Sequence, residues 1–114
     1  MGVKIINLEE GLPTVQEAKL ILEQELVRAR KAKVKTLKLI HGYGSKGTGG
    51  KIRTAIIRLL TEKKNRNEIR DFIPGDKWSI FNKTSRSVID VCPVMSKDSD
   101  LENCNIGITI VIMK

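Results

Sequence analysis

The sequence predicts one small α/β domain, a sheet of mainly parallel strands joined by helical crossovers, and three observations carry that prediction. Hydrophobic spacing switches along the chain between strand-like runs and helix-like stripes, in the order strand, helix, strand, helix, strand, long connection, strand. Each helix stands between two strands, as in a crossover unit, and the last strand is free to return antiparallel. A chain of 114 residues suits a single domain, residues 1–114, and is too short for a catalytic domain with a separate partner domain.

Residues 3–8 form an apolar run around Ile5 and Ile6, closed by Asn7, Glu9, Glu10 and Gly11, and read as a strand followed by a loop. Thr14 and Glu17 stand at capping-box spacing, in which a hydroxyl and a carboxylate satisfy the free N–H groups of a helix start. Val15, Ala18, Leu22, Leu26 and Ala29 then recur at helical spacing, so the first helix runs to about residue 32 and buries one stripe. Residues 34–40 read as a second strand, with Leu37, Leu39 and Ile40 on its apolar face and Lys35 and Lys38 between them. A glycine-rich segment follows at residues 41–50. From Lys51 onward, Ile52, Ala55, Ile56, Leu59 and Leu60 mark the buried face of a second helix.

Residues 69–73 read as a short third strand, and Arg70 and Asp71 suit an edge position. The β-branched run at 106–113 suits a central strand covered on both sides. Between them lies a long connection, residues 74–105, expected to be an inserted loop, hairpin or packed flap held by Trp78 and Phe81. Its acids Asp98, Asp100 and Glu102 lack the glycine and the spacing of a calcium loop and read as a polar turn.

The net charge of +8 favours a polyanionic partner, nucleic acid first. Residues 28–70 hold fourteen lysines and arginines against only Glu62 and Glu68, a basic block that coincides with the glycine-rich segment and leaves the two ends acidic. No run approaches the roughly 18 apolar residues of a membrane span, and the first residues lack the apolar core of a signal peptide, so the expected location is cytoplasmic with no membrane partner. Cys92 and Cys104 fit neither a disulfide framework nor a four-ligand zinc site and are expected as reduced thiols.

The glycine-rich segment admits three readings. Gly42-Tyr43-Gly44-Ser45-Lys46-Gly47 matches a dinucleotide-binding fingerprint, but it follows the second strand and the chain has no room for a substrate site. A P-loop fails because Ile52 follows Lys51 where a magnesium-binding hydroxyl belongs. The third reading is a phosphate site on a polymer backbone: backbone N–H groups, a helix N-terminus and the cations Lys46, Lys51 and Arg53, with His41 at the same edge and Tyr43 able to stack on a base.

His41-Gly42-Tyr43-Gly44, Gly47, Gly49-Gly50 and Lys51-Ile52-Arg53 resemble the glycine-loop signature of the Smr, or small MutS-related, domain in its extended-loop form. Asn7-Leu8-Glu9 with Gly11-Leu12 and Thr14-Val15-Gln16-Glu17-Ala18 stands where that family has D-L-H-G-L and T-V-x-E-A, and Gly107-Ile108-Thr109-Ile110-Val111 resembles its closing strand. The resemblance implies a two-layer βαβαββ sandwich with a mixed four-stranded sheet in the order 1-2-4-3, the last strand antiparallel; the flap expected at residues 74–105 before that strand lies outside the family's core pattern. It also implies nucleic-acid binding, in DNA repair or ribosome-associated RNA processing, and in many members endonuclease activity. Carried over residue by residue, His41 and the glycines match the active-site loop and Arg53 the arginine of the following helix. The family's Asp and His fall on Asn7 and Glu9.

The leading expectation is therefore an Smr-like domain that contacts the phosphate backbone of DNA or RNA through Gly42, Tyr43, Gly44, Lys46, Gly47, Gly49, Gly50, Lys51, Arg53 and Arg58. An active endonuclease, with His41 and Arg53 catalytic and Glu9 as the carboxylate partner, is the alternative, and a protein-interaction module docking through the flap is a second. No resident cofactor is expected; a divalent metal and the oligomeric state stay open.

Overall fold

A computed structural model of the chain describes residues 2–11, 13–43 and 49–114. The elements are β1 (Val3–Asn7), α1 (Val15–Ala32), β2 (Thr36–Ile40), α2 (Gly49–Asn65), β3 (Ile69–Pro74), α3 (Lys83–Val91) and β4 (Ile108–Met113), with 3-10 turns at Gly75–Lys77 and Pro93–Lys97. The strands form one sheet in the order β1-β2-β4-β3. β1 and β2 are parallel, and β4 runs antiparallel to both β2 and β3. The apolar last strand is thus central, all six of its residues buried, and β3 is an edge strand.

Local chemistry sets the helix ends. Thr14 Oγ1 accepts from the N–H of Glu17 at 3.1 Å while the Glu17 carboxylate accepts from the N–H of Thr14 at 2.8 Å, the full capping box. α1 stops at Lys33, which takes the left-handed conformation (φ 57) and donates its N–H back to Ala29 and Arg30. Asn67 (φ 60) ends α2 in the same way, and the following N–H of Glu68 reaches the carbonyl of Lys63.

Each strand shows one side chain in two to each face of the sheet. Leu37, Leu39, Val111 and Met113 join Ala18, Leu22, Leu26, Ile52, Ile56 and Leu60 in a core between the sheet and α1 and α2. Ile73, Ile108, Ile110 and Ile112 form a second core on the opposite face, closed by Trp78, Val88, Cys92 and Met95. The segment before β4 therefore adds a thinner layer to the two-layer sandwich.

That segment contains a helix, not a hairpin, and this corrects part of the expectation for residues 74–105. Asn82 Oδ1 caps α3 by accepting from Ser85 N, and Ser85 and Val88 are its buried residues. The run Val88-Ile89-Asp90-Val91 is strand-like in composition, but a cap and a buried stripe at helical spacing decide its form. Trp78 anchors the segment, 1% exposed, whereas Phe81 is 85% exposed and anchors nothing.

Lys38, expected between the apolar positions of its strand, is buried on the second face. Its Nζ meets Asp98 Oδ1 at 2.8 Å and Asp100 Oδ2 at 2.6 Å. Trp78 Nε1 donates to Asp98 Oδ2 at 3.0 Å, and Asn105 Nδ2 donates to Asp100 Oδ1 at 2.9 Å. The acidic turn thus folds down onto the sheet and neutralises a cation there. Burial works to lower the Lys38 pKa, but the two carboxylates together outweigh it and hold the ammonium above its ordinary value. The Lys38 hydrogen bond, followed by that of Asn105, holds the Asp100 carboxyl below its ordinary range. Among the described residues no group of His, Cys, Asp and Glu side chains is arranged to hold a metal ion.

Candidate functional site

Parallel β1 and β2 end at the same edge, and the segments that follow them leave side by side. At the end of β1, Asn7 Oδ1 accepts from the N–H groups of both Glu9 and Glu10 at 3.0 Å, closing a tight turn. This acceptor role is one that an aspartate would fill equally. Leu8 beside it is fully buried and donates its N–H to Ile40 at 2.7 Å, which ties the turn to β2. Glu9 is exposed, and its carboxylate lies directly against Gly42, where a Cβ would collide with it. Gly42 has φ +75, a backbone conformation that favours glycine, while the Glu9 carboxylate could swing aside from a side chain there.

His41 is fully buried. Its Nδ1 lies 2.8 Å from the Gly42 carbonyl, which only accepts, so Nδ1 carries the proton and Nε2 accepts from Thr109 Oγ1 at 2.8 Å. The N–H groups of His41 and Gly42 both donate to the carbonyl of Gly107, at 3.0 and 3.1 Å. Burial pushes the imidazole pKa down and the charge of Arg53 adds to that, while the hydrogen bond to Gly42 opposes them. The ring is a neutral clamp between the end of β2 and the start of β4, with no face toward solvent in this geometry.

Arg53, in the second turn of α2, reaches across to the same region. Its Nε donates to the carbonyl of Ile106 at 3.0 Å and its Nη2 lies 3.5 Å from Asp76 Oδ1. The Tyr43 ring, 57% exposed, packs beside Gly107, where an added Cβ would approach it to 3.2 Å. Tyr43 and Ile106, 43% exposed, present apolar surface at this edge.

Lys51 and Arg58 project from α2 on the outer side. Both are exposed, and neither makes an ion pair among the described residues. With Val15, Gly50, Thr54 and Ala55 they line a shallow groove of about 510 Å³ between the starts of α1 and α2. Val15 and Ala55, read from periodicity as core positions, are half-buried and form its apolar floor. The first turn of α2 has no acid, whereas that of α1 has Glu17, so the positive end of the α2 dipole is not offset locally. Gly49 and Gly50 open α2, two residues earlier than the stripe beginning at Ile52 predicts. Gly44, Lys46 and Gly47 lie outside the described residues.

The edge thus brings Asn7, Glu9, His41, Gly42, Tyr43 and Arg53 to one end of the sheet, with Lys51 and Arg58 beside them. Thr109 and Gly107, which complete the His41 clamp, were not singled out from sequence as site residues; their distance of more than 60 positions from His41 is why. The basic block is divided. Arg30, Lys31, Lys33, Lys35, Arg66 and Arg70 stand at the opposite end of the helices, around a cleft of about 370 Å³ lined by Arg30, Asn67, Glu68, Met113 and Lys114.

The family model for the Smr domain matches residues 10–78, more than half of the chain. This chain belongs to the Smr domain family. The crystal structure of the Smr domain of Thermus thermophilus MutS2 has the same fold, with a TM-score of 0.58 and 24% identity over 100% of this chain and 99% of that one. None of the curated proteins compared matches it. The Smr match begins just after Asn7 and Glu9, the two positions that depart from the family's first motif, and it includes the glycine loop and Arg53. The mixed sheet and its order are those the resemblance implied. Smr domains as a family bind nucleic acids and include nucleases. No helix among the described residues is long and apolar enough to cross a membrane.

Proposed function

We propose that this Smr domain binds the phosphate backbone of nucleic acid at the edge where β1 and β2 end, and that it holds the strand there without His41 acting on it. The observation that carries this reading is the pair Lys51 and Arg58, exposed, without ion pairs among the described residues, and on one face beside the uncompensated start of α2. Phosphates meet the two cations, and Tyr43 offers an exposed ring to a base. Arg53 and His41 act from behind: the imidazole ties the end of β2 to Thr109 of β4 and the guanidinium ties α2 to Ile106 just before that strand, so the binding surface is pre-formed. A general base must reach the proton it removes, and His41 has both ring nitrogens engaged inside the protein.

Binding of a labelled oligonucleotide, followed by anisotropy across a salt series, tests this. Affinity falls steeply with salt, and Lys51→Gln and Arg58→Gln each lower the logarithmic slope by about one while weakening all sequences alike. A flat salt response overturns the reading.

Cleavage is a second reading, favoured by the exposed Glu9 carboxylate lying against Gly42 at the loop. Labelled RNA and supercoiled plasmid, incubated with the protein with and without EDTA, report it. Glu9→Gln, an exposed substitution, abolishes any cleavage if the carboxylate takes part.

A further inference from the structure

We propose that the end of the domain opposite the glycine loop is a second phosphate-backbone site, so that one domain joins two separate segments of nucleic acid. The inference rests on the binding reading above for the first segment and on the placement of six cations for the second. Arg30 and Lys31 close α1, Lys33 and Lys35 lie between α1 and β2, Arg66 follows α2, and Arg70 lies in β3. Their elements converge: Met113 N donates to the Lys35 carbonyl at 2.8 Å, Ile69 pairs with Met113, and Arg30 Nη2 reaches the Glu68 carbonyl at 3.4 Å. All six are exposed, and none makes an ion pair among the described residues.

Helix dipoles account for only part of this. Cations in a last turn or at the C-cap offset the negative end of a helix, which explains Arg30, Lys31 and Lys33 at the end of α1. Lys35, Arg66 and Arg70 lie outside both helices, yet they enlarge the same patch. A protein partner would want an apolar or aromatic anchor in the middle of its surface. The exposed aromatics among the described residues, Tyr43 and Phe81, lie elsewhere. Unpaired charge without an exposed aromatic anchor suits a polyphosphate chain.

The two ends are distinct surfaces. α1 is 18 residues long, so its two ends stand about 27 Å apart, with Arg58 part-way between them on α2. Between them three cations are already paired: Glu25 meets Lys4 at 2.9 Å and Arg28 at 3.7 Å, and Glu23 meets Lys63 at 2.7 Å.

The test is capture of a second duplex. One duplex is fixed to beads, a second labelled duplex of unrelated sequence is added at low salt, and retention is measured with and without protein. Wild type retains the second duplex. A variant carrying Arg30→Glu, Lys31→Glu, Lys33→Glu and Lys35→Glu still binds the fixed duplex but retains the second at least about tenfold less, as expected when several phosphate contacts are lost. The glutamine versions of the same positions, which add no acid to the helix end, show a weaker loss, and far-UV circular dichroism verifies the fold of each. Capture by the glutamate variant equal to wild type, or no capture by wild type, overturns the proposal. If instead Lys51→Glu with Arg58→Glu leaves capture intact while the four-site variant loses it, the glycine-loop reading fails and the bridge by one domain fails with it, and only a phosphate site at the opposite end stands.

Discussion

His41 Nε2 and Thr109 Oγ1 lie 2.8 Å apart in the interior, joining the end of β2 to β4. Because Nδ1 is committed to the Gly42 carbonyl, the Thr109 hydroxyl is the donor that satisfies Nε2. Thr109→Val keeps the volume but leaves a buried acceptor unpaired, and destabilises the fold by about 1–3 kcal/mol. Thr109→Ser, which retains the donor, costs less. Urea unfolding of the three proteins checks the order.

The same imidazole makes stability depend on pH. Its folded pKa lies below the ordinary imidazole value of 6.5, so the unfolded chain binds the proton more readily. Stability is therefore full above pH 6.5, declines as pH falls from there toward the lowered folded value, and loses nothing more from this group below it. His41→Gln removes the decline in that window. A variant whose stability keeps the wild-type slope there places the titration elsewhere.

Lys38 joins the sheet to the acidic turn at Asp98 and Asp100. Lys38→Met leaves two largely buried carboxylates facing each other and costs about 3 kcal/mol. Trp78, whose indole N–H bonds Asp98, reports the change in its fluorescence. Converting Asp98 and Asp100 to asparagine in the same background restores most of the loss, because the uncompensated charge is what destabilises.

Thr36 Oγ1 is buried and has no hydrogen-bond partner among the described residues. Thr36→Val removes an unsatisfied polar atom and adds a methyl group to a β-strand, raising stability by about 1 kcal/mol. Thermal unfolding measures it; a lower midpoint refutes the account.

Gly75 has no room for a side chain: a Cβ would collide with the Asn105 carbonyl oxygen and lie 2.8 Å from Ile108 Cγ1. Gly75→Ala forces the 3-10 turn away from the start of β4 and costs about 2 kcal/mol or more. The turn carries Asp76, so the substitution also loosens Arg53; nucleic-acid binding and stability fall together.

Much of the fold was legible because it depends on local periodicity and caps. The stripe from Val15 to Ala29, the Thr14 and Glu17 box, the β-branched last strand and the edge character of Arg70 all follow from neighbours within a few residues. The 74–105 segment was less legible: nine helical residues with a strand-like Val88-Ile89 run carry little periodic signal, and only the cap at Asn82 and the contact with the sheet settle it. For the candidate site, the glycine segment and its flanking cations could be named from their order along the chain. The half-buried floor of Val15 and Ala55 could not, since a periodic stripe does not reveal which of its members stand at the end of a packed helix.

Sequence by itself determined the α/β class, the central last strand and the family, because spacing and short motifs are local properties that packing preserved. Tertiary structure decided what the charges do. It buried Lys38 against Asp98 and Asp100, turned His41 inward onto Thr109, and tied Arg53 to Ile106 and Asp76. It also separated the basic block into two ends of the molecule. The physical reason is that a charge acts through its distances in space and its access to water, and these are set by which elements pack together.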